Sequence, residues 1–379
     1  RAARASRLFT AVAAAFLAAA VSAQQPPVPA QARAFARDSA GSFWTVVQDG
    51  EAFRAEKRGP TGALLASTTL TGAINAGAFD LAFDAAGNAW VLGAKAPAGL
   101  PEVALWKVAA DGQSVLAAGG AGAAPGGALG GGVAVDAAGD VWVAGAAQTS
   151  AEETFALALW RFAPDATLRQ PPTFAQRPGG DVDYGADLVV DPAGSLWVVG
   201  VSSDPAPSAI DLAVWRFDGS GSFVGGVQLW PGGRPAGYRL GLTGQGGTDD
   251  GLAAALALKS DGSLWAATSK TAAACAKSDL ALLRLSAAGG VQSTTYWRDG
   301  AAQGATARGL AADPSGALFT VGTASGRSAL WRFDAAGAVV GGFPRTLEGD
   351  FIPDQVVAAN GTPWVMVSSA PTAFTGGSF

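Results

Sequence analysis

One short pattern recurs seven times along this chain and restricts its fold more than any other feature. The pattern is Asp-x-x-Gly-x-x-Trp, and it is complete at Asp38–Trp44, Asp84–Trp90, Asp136–Trp142 and Asp191–Trp197. Three looser copies occupy residues 259–265, 313–319 and 358–364. Repeats spaced roughly 50 residues apart, with strand-forming content, predict a β-propeller or a similar array.

The residues of the repeat are typical of a tight hairpin turn. Asp at the first position and Gly at the fourth favour a type I turn followed by a residue with positive φ. Short apolar stretches precede each turn, and Trp-Val-Val or its equivalent follows, which predicts two strands. The anchor glycines are Gly41, Gly87, Gly139, Gly194, Gly262, Gly316 and Gly361. The repeated tryptophans are Trp44, Trp90, Trp142, Trp197, Trp265 and Trp364.

A second motif lies between the anchors and completes each repeat. It reads Leu-Trp-Arg-Phe or a close variant, for example at residues 159–162 and 330–333, and another Gly-containing turn follows it. Each repeat therefore predicts four strands, here called A to D from the axis outward. Seven repeats predict an all-β, seven-bladed propeller. We expect the last blade to be incomplete, because little chain follows Trp364 and the Pro-rich residues 24–30 are poor ladder donors.

The two motifs together resemble bacterial secreted propeller repeats. The Asp-x-x-Gly-x-x-Trp-Val hairpin followed by Leu-Trp-Arg-Phe-Asp-x-x-Gly is similar to the SBBP and delta-sixty repeats, and more distantly to NHL and streptogramin-lyase propellers. The resemblance covers residues 33 to about 370. It implies the propeller fold but no particular activity. The lyases of this shape are associated with a catalytic His, and this chain has none.

Composition excludes several classes of function. The chain has no His, so Ser-His-Asp catalysis, Cys-His catalysis and imidazole zinc sites are ruled out. One Cys allows neither an intramolecular disulfide nor a Cys-based metal cluster. A net charge of −5 provides no basic surface for nucleic acid. The tryptophans are expected to pack between blades, with sugar stacking as the alternative.

The N-terminus has the layout of a secretory signal peptide. Three arginines precede an Ala-rich apolar run, and Val21-Ser22-Ala23 supplies a cleavage site. We therefore predict a signal peptide over residues 1–23, a Pro-rich lead-in over 24–31 and one propeller domain over 32–379. The alternative is a membrane anchor, although the run is short for a span. The mature protein is expected to be secreted or periplasmic, monomeric and without a membrane span.

Candidate binding residues are acids that precede the A strands. If the strands run from the axis outward, the B–C and D–A connections share one face and are longer and more variable than the A–B and C–D turns. Binding residues concentrate on such loops. The candidate acids are Asp80, Asp183, Asp187, Asp249, Asp250 and Asp354. They could meet near the axis and hold Ca²⁺ through oxygen ligands, or they could be ordinary solvated loop acids.

Two functions follow from these features. The first is a non-enzymatic binding or scaffold propeller that recognises an unknown protein, glycan or small molecule on its loop-rich face. The second is a metal-dependent hydrolase, lactonase or lyase that uses axial carboxylates. No organic cofactor is expected, and Ca²⁺ is the one candidate ion.

Overall fold

The computed structural model describes most of the chain from residue 31 to residue 367. The described residues are 31–75, 79–97, 99–122, 127–149, 154–180, 182–203, 210–225, 227–230, 254–271, 278–298, 304–346, 353–359 and 362–367. The proposed signal peptide, residues 24–30 of the lead-in, Asp249, Asp250 and Gly361 lie outside this part. No helix in the described part is long and apolar enough to cross a membrane.

The described residues form twenty-six strands and no helix. The first twelve are β1 (Gln31–Arg37), β2 (Phe43–Asp49), β3 (Ala52–Arg58), β4 (Leu64–Thr69), β5 (Asp80–Phe83), β6 (Ala89–Lys95), β7 (Glu102–Val108), β8 (Val115–Ala121), β9 (Ala128–Val135), β10 (Val141–Gln148), β11 (Phe155–Phe162) and β12 (Leu168–Ala175). The next twelve are β13 (Asp183–Val190), β14 (Leu196–Ser203), β15 (Ile210–Phe217), β16 (Gln228–Trp230), β17 (Ala255–Leu258), β18 (Leu264–Thr271), β19 (Ser278–Leu285), β20 (Val291–Trp297), β21 (Ala305–Ala312), β22 (Leu318–Ala324), β23 (Arg327–Phe333) and β24 (Arg345–Thr346). The last two are β25 (Pro353–Ala359) and β26 (Thr362–Val367).

These strands build a propeller of six four-stranded blades. Strands β1–β4, β5–β8, β9–β12, β13–β16, β17–β20 and β21–β24 each form one antiparallel sheet in sequence order. The propeller and its repeat architecture are confirmed, but the prediction of seven blades is wrong. Within the described residues, the seventh repeat contributes the two-stranded sheet β25–β26, here called the closing hairpin.

The A–B turns explain why the repeat needs Asp and Gly. In blade four, Asp191 Oδ1 accepts backbone hydrogen bonds from Ala193 and Ser195 at 2.9 and 2.8 Å. Gly194 has a φ of +82°, which an L side chain rarely adopts. Asp191 Oδ2 accepts a hydrogen bond from Trp197 Nε1 at 3.0 Å. The Asp carboxylate therefore fixes both the turn and the indole that follows it.

The tryptophans form the cores between blades. Eight of them are almost completely buried, namely Trp44, Trp90, Trp106, Trp142, Trp160, Trp215, Trp265 and Trp331. A cationic side chain from the C strand covers the indole of the A–B hairpin in several blades. Arg161 lies 4.9 Å from the ring centre of Trp142, and Arg216 lies 5.1 Å from that of Trp197. The repeated Arg of the Leu-Trp-Arg-Phe motif therefore lies over the face of an indole in these blades.

The closing hairpin packs between blade six and blade one. Val356 and Val365 belong to a cluster with Phe319 of β22. On the other side, Met366 packs with Phe35 and Phe43 of blade one, and the rings of Phe43 and Trp364 are 4.5 Å apart. The two strands thus join the first and last blades.

Candidate functional site at the axis

The inner strands of the blades surround an axial cavity of about 420 Å³. Residues 82–83, 133–135, 188–190, 256–258 and 310–312 line it, and its surface is more polar than apolar. The side chains of these residues are apolar, so the polar surface comes from the free backbone edges of the inner strands. These residues end the inner strands of blades two to six and lead into the A–B turns. The cavity therefore lies in the half of the channel nearer the short turns.

Asp80 stands on β5 two residues before Ala82, which lines the cavity, and it joins blade two to blade three. Its Oδ1 accepts a hydrogen bond from the backbone N–H of Leu81 at 2.8 Å. Its Oδ2 accepts one from the backbone N–H of Val133, on the next inner strand, at 2.9 Å. The carboxylate therefore bridges two inner strands that have no backbone ladder between them.

Asp187 makes the same pair of contacts between blades four and five. Its Oδ1 accepts from the N–H of Leu188 and its Oδ2 from the N–H of Leu256, each at 2.7 Å. Asp80 pairs with Leu92, two residues after Trp90, and Asp187 pairs with Val199, two residues after Trp197. The two acids therefore occupy one position of the repeat, and their contacts belong to that position.

Both axial carboxyls have raised pKa values. Each residue is partly exposed, but the inner strands that pack around its carboxyl desolvate that group. Burial raises the pKa of Asp80 to about 7, and the charge of Asp187 adds to this rise. Burial likewise raises the pKa of Asp187 to about 6. The hydrogen bonds from backbone N–H groups oppose both rises without cancelling them.

Tyr184 reaches the same region from blade four. Its hydroxyl donates a hydrogen bond to the carbonyl oxygen of Gly130 at 3.2 Å. Burial, with a contribution from the charge of Asp80, raises the pKa of the phenol, so the phenol is neutral at physiological pH. A Cβ added to Gly131 would lie 2.0 Å from the carbonyl oxygen of Gly185 and 2.9 Å from the Tyr184 hydroxyl. The glycine run at 130–132 thus allows blade four to approach blade three closely.

The closing hairpin carries a third acceptor at the same repeat position. Gln355 pairs with Met366, two residues after Trp364, so Gln355 is the register equivalent of Asp80 and Asp187. Its Oε1 accepts a hydrogen bond from the backbone N–H of Phe35 in blade one. The sequence predicts Asp354, one residue earlier, as the candidate acid of this strand. The backbone of Asp354 belongs to β25 at a register shift, and its side chain lies outside the described residues.

The other predicted acids do not join this pair. Asp183 is fully buried at the start of β13, where its Oδ2 accepts the backbone N–H of Arg177 at 2.7 Å, and burial raises its pKa. Asp249 and Asp250 lie outside the described residues. Within the ranges given above, no group of three or more acidic, Cys or His side chains is placed to hold a metal ion. Among those residues the structure brings together only Asp80 and Asp187.

Comparison with known proteins defines the fold and no family. No family model matches the chain, and no curated protein matches it. A catalytically inactive virginiamycin B lyase from Staphylococcus aureus, solved with quinupristin, has a TM-score of 0.57 and 12% identity over 92% of this chain and 95% of that one. An ulvan lyase has a TM-score of 0.55 and 10% identity over 91% of each chain. PorZ, a surface component of the type-IX secretion system of Porphyromonas gingivalis, has a TM-score of 0.52 and 13% identity over 88% of this chain and 46% of that one. At such identities these likenesses show that the β-propeller fold is shared.

Proposed function

We propose that this protein is a non-enzymatic propeller that binds a partner through the face where its B–C and D–A connections emerge, here called the loop-rich face. The main support is the use of the axial acids. All four carboxylate oxygens of Asp80 and Asp187 accept backbone N–H groups, and two of these bonds cross between blades. Carboxyls that tie the ring together explain why acids stand at the axis without requiring catalysis.

The contrast between the two faces also supports the proposal. The A–B turns of blades one, three and four repeat one design, in which an Asp carboxylate holds the turn and the following indole. The connections of the loop-rich face differ between blades: β2 and β3 are joined through residues 50–51, whereas β16 and β17 are joined through residues 231–254. A rigid frame that carries unequal loops on one face is the usual arrangement of binding proteins.

Ion pairs hold the strand ends at the loop-rich face. Arg177, after β12, binds Asp211 of β15 at 2.9 Å, and Arg298, after β20, binds Asp279 of β19 at 2.7 Å. Such charge-assisted bonds fix the points from which the connections leave the frame. We propose a protein, glycan or small molecule as the partner of a monomeric propeller.

We also propose that the protein is exported and that its repeats belong with the SBBP and delta-sixty type. The signal-like residues 1–23 and the two repeat motifs support this. Mass spectrometry of exported protein should then place the mature N-terminus at Gln24. A membrane-bound form that retains residues 1–23 would contradict export as a free protein.

The binding proposal is tested by shortening the largest connection. Wild-type protein and a variant with residues 232–252 replaced by a four-residue Gly-Ser linker are screened on a glycan array and by thermal shift with a small-molecule set. Asp111→Asn, in an exposed C–D turn, is the matched control. We expect a ligand that the control binds and the shortened variant does not. If ligands bind all three proteins equally, this connection takes no part in binding.

The raised carboxyl pKa values favour one second candidate, which is acid–base catalysis at the axis. Two acids with pKa values of about 7 and 6 can hold and release protons near neutral pH. Structural neighbours of this fold include a virginiamycin B lyase and an ulvan lyase, so lactones, quinupristin and ulvan are the substrates to assay. Turnover that Asp80→Asn abolishes and Asp111→Asn retains would favour this candidate. Turnover that depends on added Ca²⁺ would point to a metal-assisted form of it.

A further inference from the structure

The side chains of the residues that line the axial cavity pack between the blades. Val133 and Val135 of β9 belong to the hydrophobic cluster between blades two and three, and Ala134 packs against the cluster between blades three and four. Every other lining residue likewise belongs to a cluster between neighbouring blades or beside the closing hairpin. The inner strands therefore present their backbone to the cavity.

The alternation of an antiparallel strand shows which backbone groups face the axis. The N–H and C=O of one residue point to the same side of a strand, and successive residues alternate between the two sides. The N–H of Asp136 donates across the A–B turn to the carbonyl oxygen of Asp140 at 2.9 Å, so Val135 points the other way, toward the axis. The same bond is present in blades two, four, five and six. The last residues of these five inner strands, here called the axial tier, are Phe83, Val135, Val190, Leu258 and Ala312.

The axial carboxylates support this orientation. Val133, Leu188 and Leu256 stand two residues before the ends of their strands, and their N–H groups donate to Asp80 or Asp187 rather than to a neighbouring strand. The axial tier lies on the same side of the strands. Among the described residues, no hydrogen bond of a sheet, turn or side chain uses its N–H and C=O groups. The tier therefore offers five donors and five acceptors to the cavity.

A wall of free backbone edges matches a peptide. An extended peptide carries the N–H and C=O of alternate residues on one side and can pair with the free edge of a strand. The lining contributes no charged and no hydrogen-bonding side chain, so recognition depends on backbone groups. The volume of about 420 Å³ falls in the range of small-molecule pockets, which limits the ligand to a short peptide.

We propose that the axial cavity binds a short uncharged peptide in an extended conformation. The peptide lies along the free edge of one inner strand, and one of its residues exchanges two N–H···O bonds with a residue of the axial tier. The apolar lining leaves no charged side chain of the wall without a partner when the peptide displaces water. The site lies in the half of the channel nearer the A–B turns, and it does not depend on the binding function proposed for the loop-rich face.

Two uncharged peptides test the proposal on the wild-type protein. The first is N-acetyl-trialanine N-methylamide. The second is the same molecule with every amide nitrogen methylated, which keeps the carbonyl oxygens but has no N–H to donate. Calorimetry should detect binding of the first peptide and at least tenfold weaker binding of the second. Equal affinities would show that backbone pairing takes no part and would overturn the proposal, and so would the absence of binding by the first peptide.

Amide hydrogen exchange followed by NMR locates the bound peptide. In the free protein the N–H groups of the axial tier should exchange at least tenfold faster than those of Ala134, Val189 and Ala257, which point to the B strands. The first peptide should slow exchange of at least one tier residue at least tenfold. Protection confined to the loop-rich face, with the tier unchanged, would overturn this proposal and would leave the proposed function of that face standing.

Proline variants then test the pairing itself. Proline removes an N–H, and at the axial tier that N–H belongs to no ladder, so the sheet keeps its hydrogen bonds. The variants are Phe83→Pro, Val135→Pro, Val190→Pro, Leu258→Pro and Ala312→Pro. The one at the residue that the peptide protects should bind it at least tenfold more weakly, whereas Asp111→Asn should bind it as the wild type does. Unchanged affinity in that proline variant would overturn the proposal. If it fails to fold, the two-peptide comparison and the exchange data on the wild type decide.

Discussion

The carboxylate of Asp187 accepts a 2.7 Å hydrogen bond from the backbone N–H of Leu256 and so links the inner strands of blades four and five. Asp80 links blades two and three through Val133 in the same way, and Gln355 links the closing hairpin to blade one through Phe35. Elsewhere the same position holds a small residue. Gly132 of blade three is one example. A Cβ at Gly132 would lie 2.8 Å from the Cα of Asp187, so the inner strands of blades three and four are in close backbone contact here. Neighbouring blades thus meet at this level either through an acceptor side chain or through close backbone contact.

The axial carboxyls should make stability fall as pH rises. The folded pKa values of Asp80 and Asp187, about 7 and 6, exceed the ordinary value of 3.8, so the folded protein holds these protons more tightly than the unfolded chain does. The free energy of unfolding should therefore decrease between about pH 4 and pH 7 and then level off. At about 1.4 kcal/mol per pKa unit, reduced by the partial exposure of both groups, the decrease amounts to a few kcal/mol.

Urea unfolding at pH 4.5, 6, 7 and 8 measures this dependence. When the pH is lowered below about 4, the free energy of unfolding should also decrease, because Asp38 and Asp84 have lowered pKa values in the folded protein and lose their charge there. Asp80→Asn should remove the larger part of the decrease between pH 4.5 and 7, and Asp111→Asn should keep it. Stability that increases from pH 4.5 to 8 in the wild type would contradict the assigned pKa shifts.

Gly131→Ala should disrupt the contact between blades three and four. The added Cβ would lie 2.0 Å from a backbone oxygen, so one of the two strands has to move. We expect a loss of about 3 kcal/mol or more in the free energy of unfolding. Gly59→Ala is the control, because a Cβ there has only ordinary contacts at 3.8 Å and Gly59 is not among the positive-φ glycines. Equal midpoints for the two variants in thermal unfolding would refute the close approach.

Asp136→Ala should lower the free energy of unfolding more than Asp165→Ala, which removes an acid from an exposed turn. Asp136 accepts backbone hydrogen bonds from Ala138 and Asp140 and a third from Trp142 Nε1, each at 2.9 Å. Their loss should lower the free energy of unfolding by about 2–3 kcal/mol. Asp165→Ala removes contacts to Thr167 alone at an exposed site and should cost under about 1 kcal/mol. If calorimetric scans show the same shift for both, the Asp–Trp bond adds nothing to stability.

Gly194→Val tests the conformation of the A–B turn. Nothing lies within 4 Å of an added Cβ at Gly194, so its φ of +82° is the only source of strain, and we expect a cost of about 2–3 kcal/mol. Gly341→Val meets equally open space without a positive φ and should change stability by about 0.5 kcal/mol or less. Ser195→Ala, which loses a 3.1 Å contact with Arg216, should fall between them. A thermal shift for Gly194→Val no larger than that for Gly341→Val would exclude the turn assignment.

The repeat pattern predicted the turns and the inner strands but not the register of the closing hairpin. Asp80 and Asp187 each stand seven residues before an anchor glycine, and Asp354 stands at the same distance from Gly361. In the closing hairpin Ala359 pairs directly with Thr362, whereas Val190 pairs with Leu196 across a longer turn. The shorter turn moves Gln355 into the position of Asp187. The spacing of residues along the chain does not reveal this shift, because the length of the turn determines which residues of the two strands pair with each other.

The sequence also placed acids near the axis without showing what they contact. The hydrogen bond between Asp80 and Val133 joins residues from different blades. The separation of two such residues along the chain does not indicate that they are hydrogen-bonded partners. The predicted number of blades was wrong for a related reason. Seven anchor copies are present, but an anchor supplies strands A and B, and a complete blade also needs a Leu-Trp-Arg-Phe strand and its partner.

The central claim is that the axial carboxylates tie neighbouring blades together, and NMR titration of the wild type tests it most directly. Side-chain carboxyl carbons of Asp80 and Asp187 and the amide protons of Val133 and Leu256 are followed from pH 4 to pH 9. We expect carboxyl midpoints of about 7 for Asp80 and about 6 for Asp187, with the Val133 amide following Asp80 and the Leu256 amide following Asp187. Amide shifts at Val133 and Leu256 that stay constant while the carboxyls titrate would contradict it.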